Sequence, residues 1–82
     1  MQNKQPLKEF ILLKFKSVSE CARHLELSSQ AVNHWIAYNP NSAYRYLEFW
    51  LEEGYTVEEL IKAVRAQNDV NFKRLGLPTF DS

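Results

Sequence analysis

SVSECARHLELSSQAVNHWI, residues 17–36, is the stretch on which the reading of this chain turns. Ser17 and Glu20 have the spacing of a capping box, in which each side chain bonds the other residue's backbone N–H. A helix is therefore expected to begin after Ser17. Val18, Cys21, Ala22 and Leu25 recur along one face of it. Glu26, Leu27 and Ser28 then form a turn, and Ser28 is a good N-cap for the next helix. Leu27, Ala31, Val32, Trp35 and Ile36 make that helix's inward set. Ser29, Gln30, Asn33 and Ala37 fall on the opposite face, with His34 at its flank.

The flanking sequence is helical nearly throughout. A first helix is expected over residues 7–16, with Leu7, Phe10, Ile11 and Phe15 on one stripe. Pro6 stands where a first helical turn tolerates proline. The loop YNPN follows at 38–41, and Pro40 biases Asn39 away from helix. A fourth helix is expected from Asn41 or Ser42 to near Gly54, with Ala43, Tyr46, Leu47, Trp50 and Leu51 as its stripe. Gly54 reads as a left-handed stop. Thr56 and Glu59 repeat the capping-box spacing, and a fifth helix turns Val57, Leu60, Ile61 and Val64 inward. Its pattern fades between Gln67 and Asp69. In the remaining tail, Val70 and Phe72 alternate with polar residues as in a short strand. Leu75, Leu77 and Phe80 are apolar without helical order. The sequence thus divides into a domain over residues 1–69 and an apolar tail over 70–82.

Composition narrows the function classes. The chain has 82 residues, 45% apolar and 13% aromatic, enough for one small core. Its 10 basic and 10 acidic residues cancel, so total charge does not point to nucleic acid. The distribution is uneven. Lys4, Lys8, Lys14, Lys16, Arg23 and Arg45 outnumber the acids as far as Leu47, and acids dominate beyond it. One cysteine allows no intrachain disulfide. No apolar run approaches the roughly 20 residues of a membrane span. The start, MQNKQPLKEF, lacks the apolar core of a signal peptide. A soluble cytoplasmic protein is expected.

Residues 17–36 resemble the helix-turn-helix of phage Cro and repressor proteins and their bacterial relatives. Two helices crossing steeply need a small residue at the contact, here Ala22. The turn needs an apolar plug, here Leu27, and the second helix needs a cap, here Ser28. One departure is Glu26, which stands where the family usually has glycine, because that residue tends to adopt positive φ. The resemblance implies an all-α, five-helix lambda-repressor-like helix-turn-helix domain, here with a C-terminal extension. It also implies a Cro-like repressor that binds an operator in double-stranded DNA. Gln30 and Asn33 are the expected base readers, since either amide can bond adenine N6 and N7. Ser28, Ser29 and His34 are within the same expected set. Lys14, Lys16, Ser17, Asn39, Asn41, Ser42, Tyr44 and Arg45 are expected at the DNA backbone.

Other readings compete. Cys21 and His24 share a spacing that can bind metal, but two ligands do not make a structural site, and Cys21 belongs to an apolar stripe. No metal, cofactor, small-molecule substrate or catalytic constellation is expected. The neutral charge and acidic second half suit a protein-binding module, such as an antirepressor, antitoxin or adaptor. The polar outer edge of the third helix speaks for DNA instead. A homodimer is expected, because one reading helix has little specificity and paired half-sites remedy this. Phe49, Tyr55, Val70, Phe72, Leu75, Leu77 and Phe80 are its expected interface.

Overall fold

Pro6 supplies a preset φ at the first position of α1 (Pro6–Leu12), where a missing N–H costs nothing. Leu7, Phe10 and Ile11 on this helix are buried. The computed structural model describes residues 5–75. Among these the chain is all-α, with five α-helices, one 3-10 segment and no strand. The first helix is shorter than the sequence suggests. Leu13 N–H and Lys14 N–H bond back only three residues, to Phe10 and Ile11, which tightens the chain out of the α geometry. Phe15 remains in the core all the same.

The next helix, α2 (Val18–His24), starts as expected, with Ser17 Oγ accepting from Glu20 N–H at 3.1 Å. It stops in a Schellman turn. Glu26 N–H bonds the Arg23 carbonyl at 3.0 Å, and Leu27 N–H bonds the Ala22 carbonyl at 2.8 Å. Glu26 holds a φ of 61°, the left-handed conformation that favours glycine. Then α3 (Ser29–Tyr38) begins on Ser28, whose Oγ accepts from Ala31 N–H at 3.1 Å.

Residues 41–54 do not form the single helix that their apolar pattern suggests. Pro40–Tyr46 is a 3-10 segment, and α4 covers only Leu47–Glu52. The Ala43 carbonyl, whose α-helical partner would be the Leu47 N–H, accepts from Trp50 Nε1 at 2.9 Å. The change of winding turns the expected stripe. Ala43 and Trp50 are buried, while Leu47 and Leu51 are 39% and 44% exposed. A second Schellman turn follows, with Gly54 at φ +100° and Tyr55 N–H on the Trp50 carbonyl.

The last helix, α5 (Val57–Leu75), opens on a complete capping box. Glu59 N–H donates to Thr56 Oγ1 at 3.1 Å, and Thr56 N–H donates to Glu59 Oε1 at 2.9 Å. It runs without a break through residues 67–69 and 70–72. Val70 and Phe72, expected in a strand, are therefore helical and half-buried. The inward seam is Leu60, Ala63, Val64, Gln67 and Asn71, while Val57 and Ile61, expected inside, are about two-fifths exposed. Two of the five seam residues are amides, so the apolar pattern fades where the helix does not.

Aromatic rings fill the space between α1, α4 and the start of α5. Trp50 meets Phe10, Phe49 and Tyr55 edge-on at centroid distances of 5.2, 5.1 and 5.5 Å. Phe10 stacks on Tyr55 at 4.1 Å. Each such pair contributes about 1 kcal/mol beyond the area it buries. Tyr55, expected on a dimer surface, is a core residue whose hydroxyl donates to the Ile11 carbonyl at 2.8 Å. Its backbone position, just past the Gly54 turn, faces the ring inward. Phe49 is half-buried, stacked on Phe15 at 6.0 Å. Leu77 and Phe80 lie outside the described residues, as does the side chain of Leu75. Among the described residues no helix is long and apolar enough to cross a membrane.

Candidate nucleic-acid interface

Ten residues of α3 present one face to the core and the other outward. Val32, Trp35 and Ile36 anchor the inner face, each no more than 6% exposed. At 100° per residue, Gln30, Asn33, His34 and Ala37 then lie on the outer side. Gln30, Asn33 and His34 are exposed, Ser29 and Ala37 half-buried. Neither the Gln30 nor the Asn33 side-chain amide has a hydrogen-bond partner among the described residues. An exposed amide without an internal partner keeps its donor and acceptor for a ligand. Ser28 differs, because its oxygen already caps α3. His34 tilts against Tyr38 with ring centroids 5.1 Å apart.

The residues expected at a nucleic-acid backbone fall into two groups. Asn39, Asn41, Ser42, Tyr44 and Arg45 follow α3 directly, in and before the 3-10 segment, which packs against α3. Tyr44 is 41% exposed, and Asn39, Asn41 and Arg45 are exposed. Asn41 Oδ1 is occupied by Asn68 Nδ2 at 2.8 Å, so its own NH2 is what remains to offer. The other group lies between α1 and α2. Ser17 Oγ is engaged in its cap, and Lys16 is exposed. Lys14 is drawn to the turn after α4, with its Nζ 5.7 Å from the centre of the Tyr55 ring. Its methylenes cover the space beside Gly54.

Two features of this site escape the sequence reading. The first is a relay of buried amides from α5. Leu7 N–H, at the start of α1, donates to Gln67 Oε1 at 3.0 Å. Gln67 Nε2 donates to Asn71 Oδ1 at 3.0 Å, and Asn71 Nδ2 donates to the Ile36 carbonyl at 2.8 Å. A helix leaves its first N–H and last C=O groups without internal partners. The relay satisfies one of each, so it locks α3 to α1 through α5. The signal was present in outline, since Gln67 and Asn71 continue the spacing of Leu60 and Val64.

The second is Arg74, whose Nη2 donates to the Ala37 carbonyl at 2.6 Å while its guanidinium lies 5.5 Å from the Tyr38 ring centre. A cation at a helix C-terminus is favourable through the helix dipole. Nothing local in the sequence joins residue 74 to residue 37.

Cys21 is buried, and burial, with a smaller effect from Glu53, pushes its thiol up to about 12. It is therefore protonated at neutral pH. Its neighbour on the helix, His24, is exposed. Among the described residues no three His, Cys, Asp or Glu side chains gather to hold a metal ion. Compared with protein-family models, curated proteins and solved structures, the chain gives no match.

Proposed function

We propose that this chain is a sequence-specific double-stranded DNA-binding regulator of the Cro and repressor type, acting by occupancy of an operator and without catalysis. The observation that carries the reading is the outer edge of α3. Gln30 and Asn33 stand there exposed and uncommitted, on a helix whose other face is anchored by Val32, Trp35 and Ile36. A helix fits the roughly 12 Å major groove, and its first turns are the part that reaches base edges. The Schellman turn at Glu26 and the Ser28 cap set where α3 starts, which supports this reading. On this reading α2 crosses over the DNA backbone, and Asn39 to Arg45 hold phosphate on the far side.

A homodimer with half-sites about one helical turn apart is part of the proposal. With Tyr55 in the core, Leu47 and Leu51 of α4 and Val57 and Ile61 of α5 are exposed apolar residues that such a contact would use. These four are 39–44% exposed.

The test is selection of bound duplexes from a random pool, with wild type set against a Gln30→Ala, Asn33→Ala variant at fixed salt. Enrichment of a two-fold symmetric motif, lost in the variant, supports the proposal. No enrichment, at concentrations where non-specific binding is also absent, moves the chain to the protein-binding class.

A further inference from the structure

We infer that Arg74 is a phosphate contact of the DNA-binding surface, held in place by Tyr38 and the end of α3; this rests on the DNA-binding reading above. Arg74 is exposed and sits at the far end of α5, in the acid-rich half of the sequence. The fold carries it to the last turn of the helix that bears Gln30 and Asn33. There the guanidinium is fixed twice, by the Ala37 carbonyl at 2.6 Å and by the Tyr38 ring at 5.5 Å. A guanidinium has five N–H donors, and a single carbonyl contact leaves a free edge to bind a phosphate oxygen, singly or as a fork. Lys73, next along the helix, is already paired with Asp69 at 3.2 Å.

The geometry of a groove-bound helix places a phosphate there. A helix of 10 residues is about 15 Å long, longer than the groove is wide. With its first turns among the bases, its last turn lies against a groove wall, where the phosphates are. A side chain held in one rotamer before binding loses less entropy on contact than a free arginine does. Tyr38, 60% exposed and one turn beyond His34 on the same side of α3, is the platform that holds it. Tyr38 is a positioning residue, and Arg74 makes the contact.

The test is fluorescence anisotropy on a duplex enriched by the selection above, across a series of salt concentrations, with thermal unfolding of each variant alongside. Arg74→Ala and Arg74→Gln are expected to weaken binding roughly tenfold near physiological salt. Both are also expected to reduce the slope of log K against log salt by about 0.9, the share of one phosphate. Arg74→Gln removes the charge but keeps a polar side chain, and Arg74→Lys keeps the charge without the fork, so the variants together separate the lost charge from the lost cap. Arg74→Lys is expected to keep the slope and lose part of the affinity. Tyr38→Phe is expected to behave as wild type, and Tyr38→Ala to weaken binding with the slope unchanged. A wild-type slope in both Arg74→Ala and Arg74→Gln overturns the inference while leaving DNA binding standing. Absence of wild-type binding to any duplex overturns both.

Discussion

The chain builds the same unit twice and uses it in opposite ways. In each unit a short helix ends in a Schellman turn and a capped helix follows, α2 to α3 through Glu26 and Ser28, α4 to α5 through Gly54 and Thr56. Each second helix also carries a Gln/Asn pair. In α3 the pair is Gln30 and Asn33, exposed and without internal partners. In α5 it is Gln67 and Asn71, 1% and 4% exposed and bonded to the ends of two other helices. The side-chain chemistry is identical. What differs is whether a partner lies within the protein, and that decides whether an amide holds the fold or is available to a ligand.

The largest way to break this contrast is Asn71→Leu. It leaves the Ile36 carbonyl and Gln67 Nε2 buried without partners, at about 1–3 kcal/mol each. Chemical denaturation is expected to show a loss of about 3 kcal/mol. Gln67→Leu strands the Leu7 N–H in the same way, and the double variant is expected to lose less than the sum, because the bond between the two amides is removed only once. Additive losses would show that the relay is not a connected network.

On the other side, Gln30→Ala and Asn33→Ala are expected to shift stability by less than about 0.5 kcal/mol. Each is expected to cost about 1–3 kcal/mol of binding to the preferred duplex and little on sequences mismatched at the base it reads, so discrimination falls. Anisotropy with matched and mutated sites reads this directly. A stability loss like that of Asn71→Leu would place the α3 pair in the structural class.

Cys21 of α2 and Tyr55 of the second turn both belong to the shared core. Both are buried, and burial raises the pKa of both; the thiol rises from 9.0 to about 12. Above pH 9 the unfolded chain releases a thiol proton that the native state keeps, so stability must fall as pH rises toward 12 and is unaffected at neutral pH. By pH 10 the loss is on the order of 1 kcal/mol. Denaturation midpoints measured from pH 7 to 10.5 are expected to decline for wild type. The decline is expected to be shallower for Cys21→Ala.

The smallest effects sharpen the comparison of the turns. Glu26 bears a left-handed φ that Gly54 bears without a side chain. Glu26→Gly is expected to stabilise the chain by up to about 1 kcal/mol, and Gly54→Ala to destabilise it by about as much. Melting temperatures check both, and Glu26→Gly is expected to leave binding unchanged.

Much of the framework was legible in the residues. Ser17, Ser28 and Thr56 cap the helices they were expected to cap, because a capping oxygen acts on an N–H only three residues away. Gly54 adopts the positive φ expected of it, as does Glu26 in the position that glycine would favour. The misreadings come where the apolar pattern stands in for burial or for winding. The end of α5 was placed early because apolar periodicity detects burial only through apolar side chains, and Gln67 and Asn71 are buried as polar ones. Val57 and Ile61 were placed inside because an apolar residue at helical spacing reads as core whether or not a neighbour covers it, and Leu47 and Leu51 because the 3-10 winding that turns their stripe leaves no mark in the apolar pattern.

The sequence by itself determined where α1, α2, α3 and α5 start, how α2 and α4 stop, and which edge of α3 is polar, since these depend on groups a few residues apart. Only the tertiary structure decided that Gln67 and Asn71 join α1 to α3, that Tyr55 lies within the core, and that Arg74 rests on Tyr38. Those contacts link residues 60, 35, 44 and 37 positions apart for the hydrogen bonds of Gln67, Asn71, Tyr55 and Arg74. At such separations a hydrogen bond is specified by how whole helices pack, and no local pattern of residue types records it.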